Sequence, residues 1–286
     1  MFKNIRSSEE PGSILGAILN HIPVESDWKW NSMIGIEALL AVIISIYVAM
    51  SVGIAEAGLA SLALASAAIV PRVNQILRIN RERIWDQGVG GWTANRKSIT
   101  SGTIILLAMV LVYAVFAAIT DREILSQNFS FVGVTYTEQL LTPERFEHGL
   151  TFFFTNTGIL ILFFFLSFIF RGLGTSLALG WNAGVWSVTI VLMARTGIAS
   201  AEDPLVYSLV AFAAVAPHLV IEGLAYITGS LAGIFLSRGV TLYGLRNPRL
   251  LKVLNAVIVL FVISFGIVIL GAVVEHFWAP YMLRLL

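Results

Sequence analysis

A chain of 286 residues that is 57% hydrophobic and 12% charged, with mean hydropathy +0.86, has more apolar surface than a single water-soluble core absorbs, which excludes an ordinary soluble domain. Its net charge of +1 points to no strongly acidic or basic partner. The absence of cysteine excludes a disulfide framework and any thiolate metal site, so a metal would need His and carboxylate ligands.

The composition predicts an all-α, polytopic membrane protein. Residues 1–32 read as a cytoplasmic or interfacial amino-terminal segment. Their apolar run is short and interrupted, and no small-residue cleavage pattern follows it, so no secretory signal is expected. A span closes its own backbone hydrogen bonds in lipid and needs about 20 apolar residues. Seven runs meet or approach that length within a single transmembrane domain, 33–280: residues 33–53, 55–71, 99–119, 150–170, 173–194, 217–238 and 253–275. The first two are separated by a tight turn. Residues 72–98 form a basic loop whose first part is amphipathic enough to prolong the second span as a helix; anionic lipid headgroups are its expected neighbours. A nucleic-acid role is not needed to explain its charge. Residues 120–149 form an acidic external loop long enough for a short ordered cap, from which Glu147 and His148 can approach the outer face, although solvation explains them more cheaply. Residues 205–215, "LVYSLVAFAAV", are about half as long as a crossing requires, which predicts a short re-entrant or interfacial helix, with Pro217 opening the next span at a first helical position.

Charge orients the bundle. With the amino terminus inside, all but Arg122, Arg145, Arg195 and Arg284 of the 18 Lys and Arg fall on inner segments, from Lys3 and Arg6 to Lys252. The acidic residues Asp121, Glu123, Glu138, Glu144, Glu147, Glu202 and Asp203 gather outside. The expectation is a multi-pass protein of the cell membrane with a cytoplasmic amino terminus and an external carboxyl terminus. Trp28, Trp30 and Trp278 fit an interfacial aromatic belt.

Polar residues inside the spans are the candidate site. In "APHLVIEGLAY", His218 and Glu222 stand one turn apart on one helix face near its outer end. Glu56, in the turn between the first two spans, and Glu275 with His276, at the end of the last, belong to the same level. Charges at membrane depth usually face a partner or a wet cavity. His218, Glu222, Glu275, His276 and Glu56 could therefore hold a divalent metal such as zinc. The H-x-x-x-E spacing is far less specific than H-E-x-x-H, and a structural hydrogen-bonded pair is the simpler reading. Asn156 and Asn182 fit interhelical hydrogen-bonding better than a site, with Asn156 and Arg171 as alternative cavity-lining residues. The G-x-x-x-G spacings Gly180/Gly184 and Gly229/Gly233 suit helix packing within the chain, or across a homodimer. There is no Walker loop, dinucleotide fingerprint or G-x-S-x-G elbow.

The segments "FRGLGTSLALGWNAG" and "APHLVIEGLAYITGSLAG", with the short apolar stretch between them, resemble the carboxyl-terminal half of the stage II sporulation protein M family. "GLASLALASAAIVPRVNQILRINRER" is similar to the second span of its archaeal-type members, and "VEHFWAP" to its terminal segment, so the likeness extends over most of residues 55–280. Leu219 departs from it, standing where many relatives carry glycine. The resemblance implies that Pro217, His218, Glu222, Asn182 and Glu275 match the family's motif residues. It also implies a membrane component that works with partner proteins, as the bacterial namesake does with peptidoglycan-degrading proteins, although fold likeness alone does not fix function.

Three functions follow as expectations. The first is a non-enzymatic protein that scaffolds or regulates membrane or envelope partners, as a homodimer. The second is a transporter or channel with a polar cavity at His218 and Glu222, made by helices broken around Gly172–Gly184 and Pro217. The third is a metal-dependent membrane hydrolase.

Overall fold

The computed structural model describes residues 27–132, 142–146, 149–244 and 246–286. Lys3, Arg6, Glu138, Glu147 and His148, on which part of the charge pattern and of the outer-loop reading rests, lie outside the described residues.

Among the described residues eight α-helices occur: α1 (Asp27–Ser51), α2 (Ala57–Trp85), α3 (Gly91–Ile119), the short α4 (Arg122–Asn128), α5 (Gly149–Phe170), α6 (Gly172–Ser200), α7 (Pro204–Leu242) and α8 (Pro248–Leu283). All except α4 are long and apolar enough to cross a membrane, so the protein is an all-α polytopic bundle. Two packed groups compose it. α1, α2 and α3 pack on one another, and α2 and α3 also on α6, while α5, α7 and α8 form a second group that α6 touches as well.

Each helix buries a stripe and leaves the rest apolar for lipid. On α1, Trp30, Ile34, Glu37, Ala38 and Val42 are buried at helical spacing, whereas Ile36, Ile43 and Tyr47 on other faces are exposed. α2 is the least apolar of the seven spanning helices, and half of its most apolar stretch is buried within the protein. A helix sheltered in this way can hold polar residues that lipid would not tolerate.

The segment 205–215 is not a separate re-entrant or interfacial helix. It is the first third of α7, which runs unbroken through Pro217 for 39 residues, about 58 Å at 1.5 Å per residue. Asp203 caps it, its Oδ1 accepting from Leu205 N and Val206 N, and Pro204 occupies the first turn. Proline inside a helix strands the carbonyl four residues back. Here that carbonyl, Ala213 O, accepts from the indole Nε1 of Trp278 on α8 at 2.7 Å. A neighbouring helix thus supplies the donor that Pro217 lacks, and the helix continues. Trp278→Phe is expected to keep the ring's packing and lose this bond, lowering stability by about 1–2 kcal/mol in detergent unfolding. An unchanged midpoint would sink this account of Pro217. α6 is likewise continuous through Gly172–Gly184, so broken helices do not open a cavity at either place.

Both G-x-x-x-G pairs serve contacts within the chain. A Cβ on Gly180 or Gly184 would strike Ser66 or Leu62 of α2, and one on Gly233 would strike the Phe164 carbonyl of α5. Gly233→Val must push two backbones apart, and a loss of about 1–3 kcal/mol is expected, read as a lower midpoint of thermal unfolding. A variant as stable as the parent would show that the α5/α7 contact yields freely.

Two arginines fasten helix ends. Arg171, the one residue between α5 and α6, has φ 52°, a backbone region that favours glycine and costs another residue about 1–3 kcal/mol. Its guanidinium compensates by donating to Ser237 Oγ at 3.2 Å and Thr241 Oγ1 at 3.1 Å on α7. Arg195 of α6 donates to Ala117 O at 3.0 Å and Thr120 O at 2.7 Å, satisfying carbonyls left open at the end of α3.

Candidate functional site

α5, α7 and α8 bring four polar side chains together near the middle of α7. Because α7 begins well before Pro217, Glu222 is its nineteenth residue of 39, and the pair stands at mid-helix rather than near the outer end. His218, Glu222, Asn156 and Glu275 are 6%, 5%, 8% and 6% exposed.

Asn156 is the bridge. Its Nδ2 donates to Glu222 Oε1, and its Oδ1 accepts from the Tyr226 hydroxyl at 3.2 Å. Glu222 and Tyr226 are one turn apart on α7, so a single amide on α5 reads two successive positions of one helix face. Tyr226 is held in turn by Phe163, edge to face at 5.3 Å between ring centroids. Gly271 lies one turn before Glu275 on α8, and a Cβ there would stand 3.5 Å from Glu222 Cγ. Glu275, one turn on, lies on the same face of α8, the face that meets Glu222. Among the described residues, Glu275 Oε2 is buried without a hydrogen-bond partner. His218 Nδ1 is likewise buried without a hydrogen-bond partner among the described residues. Phe146, in the 3₁₀ turn Pro143–Phe146, lies 6.1 Å from the His218 ring between centroids and seals the cluster on the side of that turn.

The other sequence candidates lie elsewhere. His276, next to Glu275, turns to the Phe146 carbonyl at 3.3 Å. Glu56 precedes α2 and accepts from Ser130 Oγ. Asn182 is buried but donates within its own helix, to Ala178 O at 2.8 Å. Pro217 shapes α7 and offers no polar atom of its side chain. Arg171 bonds α7 at Ser237, about 22 Å along the helix from Glu222, and lines no part of the cluster. Among the described residues, no three His, Asp or Glu side chains gather closely enough to hold a metal ion.

A second buried polar group, missed in the sequence, ties α1 to α2. Arg72 grips Glu37 with two parallel bonds, Nε to Oε2 and Nη2 to Oε1, each 2.5 Å, and also donates to Gln75 Oε1. Trp30 is not an interfacial belt residue: it is 2% exposed, with the Arg72 guanidinium 5.3 Å and the Lys97 ammonium 5.6 Å from its ring centroid, and it donates to Ser101 Oγ at 3.3 Å. Trp28 and Trp278 are exposed. A lone glutamate within a long apolar run was the signal for the pair. Tyr226, four residues after Glu222, was equally available as a same-face neighbour.

Fold and site together define a multi-pass membrane protein with a helix bundle closed around buried, hydrogen-bonded polar groups. Comparison with protein-family models matches residues 102–280, more than half of the chain, to Stage II sporulation protein M, and the chain belongs to that family. The match spans most of α3 and all of α4–α7, and ends within α8, so it contains the Glu222 cluster and leaves out Glu37 and Arg72. No curated protein and no solved structure matches the chain.

Proposed function

We propose that the protein acts without covalent chemistry, as a membrane scaffold that holds or regulates partner proteins, working as a homodimer. The observation that carries this reading is the Asn156 bridge: one buried amide bonds both Glu222 and Tyr226 across the α5/α7 contact, which ties these helices into one body with outer faces available to partners. Crosslinking and affinity capture from native membranes are expected to return a self-associated species and a partner that depends on the folded bundle. Finding neither overturns the proposal. The positive-inside pattern supports a cytoplasmic basic end in the cell membrane. The cysteine-free chain makes this simple to test, because Asp203→Cys is expected to react with an impermeant maleimide on intact cells and Asn247→Cys only after lysis.

One observation favours a second reading, ion-coupled transport. Among the described residues Glu275 Oε2 is buried without a partner, an arrangement suited to receiving a proton or cation. Purified protein in liposomes would then move a cation or proton gradient, and Glu275→Gln would abolish the flux; liposomes no leakier than protein-free controls would dismiss it.

A further inference from the structure

At the end of the bundle where basic residues gather, α2, the start of α3, the end of α7 and the start of α8 enclose a cavity of about 340 Å³. That volume lies within the roughly 300–1,000 Å³ of small-ligand sites. Its chemistry is split in two. Leu77, Ile84, Ile234, Phe235 and Leu242 make an apolar wall, whereas Arg81, Arg238 and Lys252 bring three cations. Among the described residues that line it there is no carboxylate; Glu82 and Asp86, the nearest acids along α2, belong to other faces.

The rest of the lining suits a headgroup. Trp85 and Tyr243 pack edge to face at 6.4 Å between centroids, and the Arg249 guanidinium lies 5.5 Å from the Trp85 ring centroid, adding a fourth cation at the rim. Asn80 also lines the cavity and is 1% exposed. Its Nδ2 is committed to Asn95 Oδ1 at 2.9 Å and Ser98 Oγ at 2.8 Å, which fixes the amide orientation. Its Oδ1 is fully buried, away from the open space, and has no hydrogen-bond partner among the described residues. Three cations beside an apolar wall call for a ligand with negative charge and a hydrocarbon portion.

We propose that this cavity binds one anionic phospholipid: the phosphate meets Arg81, Arg238 and Lys252, and a chain lies along Ile234, Phe235 and Leu242. A free phosphate would meet the cations and leave the apolar wall uncovered. The assignment is independent of the scaffolding reading, and its test involves no partner protein.

Native mass spectrometry of the full chain in detergent, titrated with phosphatidylglycerol or with phosphatidylcholine of the same chains, reads the binding directly. Phosphatidylglycerol is expected to bind at least about tenfold more tightly, since phosphatidylcholine lacks the net charge. Arg81→Gln/Lys252→Gln should weaken it roughly thirtyfold, from two cations near the phosphate. Arg81→Gln alone, at an exposed position, should weaken it about fivefold and serves if the double variant does not fold. Equal binding of the two lipids, or undiminished binding by the folded variants, overturns the proposal. Displacement of phosphatidylglycerol by millimolar inorganic phosphate would assign the site to free phosphate and overturn it equally.

Discussion

Arg72→Met is expected to destabilise the protein by about 3–5 kcal/mol, the largest loss of any single polar substitution in the bundle, because it leaves the Glu37 carboxylate buried without its partner. Removing both charges has a different result. Glu37→Leu/Arg72→Met fills the same space with apolar side chains and is expected to recover most of the loss, or to exceed the parent in stability. The pair is fully sheltered, with side-chain exposures of 3% and 7%, so the desolvation of both ions offsets much of their attraction. The contrast between single and double variants follows from that balance. Unfolding of the four proteins in a double-mutant cycle measures it; losses that simply add would show that the pair is not a unit. The Arg72 contact with Trp30 is lost in both Arg72→Met proteins and so cancels in the cycle, while the Lys97 contact involves neither substituted residue.

The two polar groups differ in what they say about the family. Glu37 and Arg72 lie outside the matched region and join α1 to α2, while the Asn156 bridge lies inside it and joins α5 to α7. α2 also packs on α6, where Gly180 and Gly184 accept Ser66 and Leu62. The first two helices are therefore fitted to the matched bundle by close packing, and the ion pair sets how they meet each other.

The spans were legible because bilayer thickness imposes a length on each apolar run, and that constraint acts within one segment. What crossed between segments was not legible. Pro217 read as a helix start, since a chain seen alone offers no donor for Ala213 O; the donor, Trp278, is 65 residues away. Trp30 read as a belt residue because its composition is right for one, and only the arrival of Arg72 and Lys97 on neighbouring helices places it inside. In the candidate site, the one-turn spacing of His218 and Glu222 was visible, and so was Glu275 as a same-level carboxyl. The spacing suggested a pair, yet Glu222 bonds to Asn156 from another helix, 66 residues earlier. His276, beside Glu275, turns to the Phe146 carbonyl, and Glu56, in the turn before α2, pairs with Ser130; neither partner shows in distance along a helix.

Asn156→Leu is expected to cost about 2 kcal/mol. The substitution orphans the Glu222 carboxyl and the Tyr226 hydroxyl together, each worth roughly 1–3 kcal/mol when unsatisfied, while interhelical hydrogen bonds measured in membranes run lower, near 0.6–1.7 kcal/mol. The lower scale governs here, because in lipid the loosened helices find other partners. Glu222→Gln separates structure from function at the same position. Glutamine keeps an oxygen to accept from Asn156 Nδ2 and has nearly the same shape, so if the carboxyl is only interhelical glue the variant folds, self-associates and captures partners like the parent. If the carboxyl carries a proton or a cation, the variant still folds while gradient-driven flux in liposomes falls to background. Unfolding midpoints for both variants, with capture and flux for Glu222→Gln, decide between these. A Glu222→Gln protein as unstable as Asn156→Leu would contradict both, since it would mean that the charge, and not the hydrogen bond, holds α5 to α7.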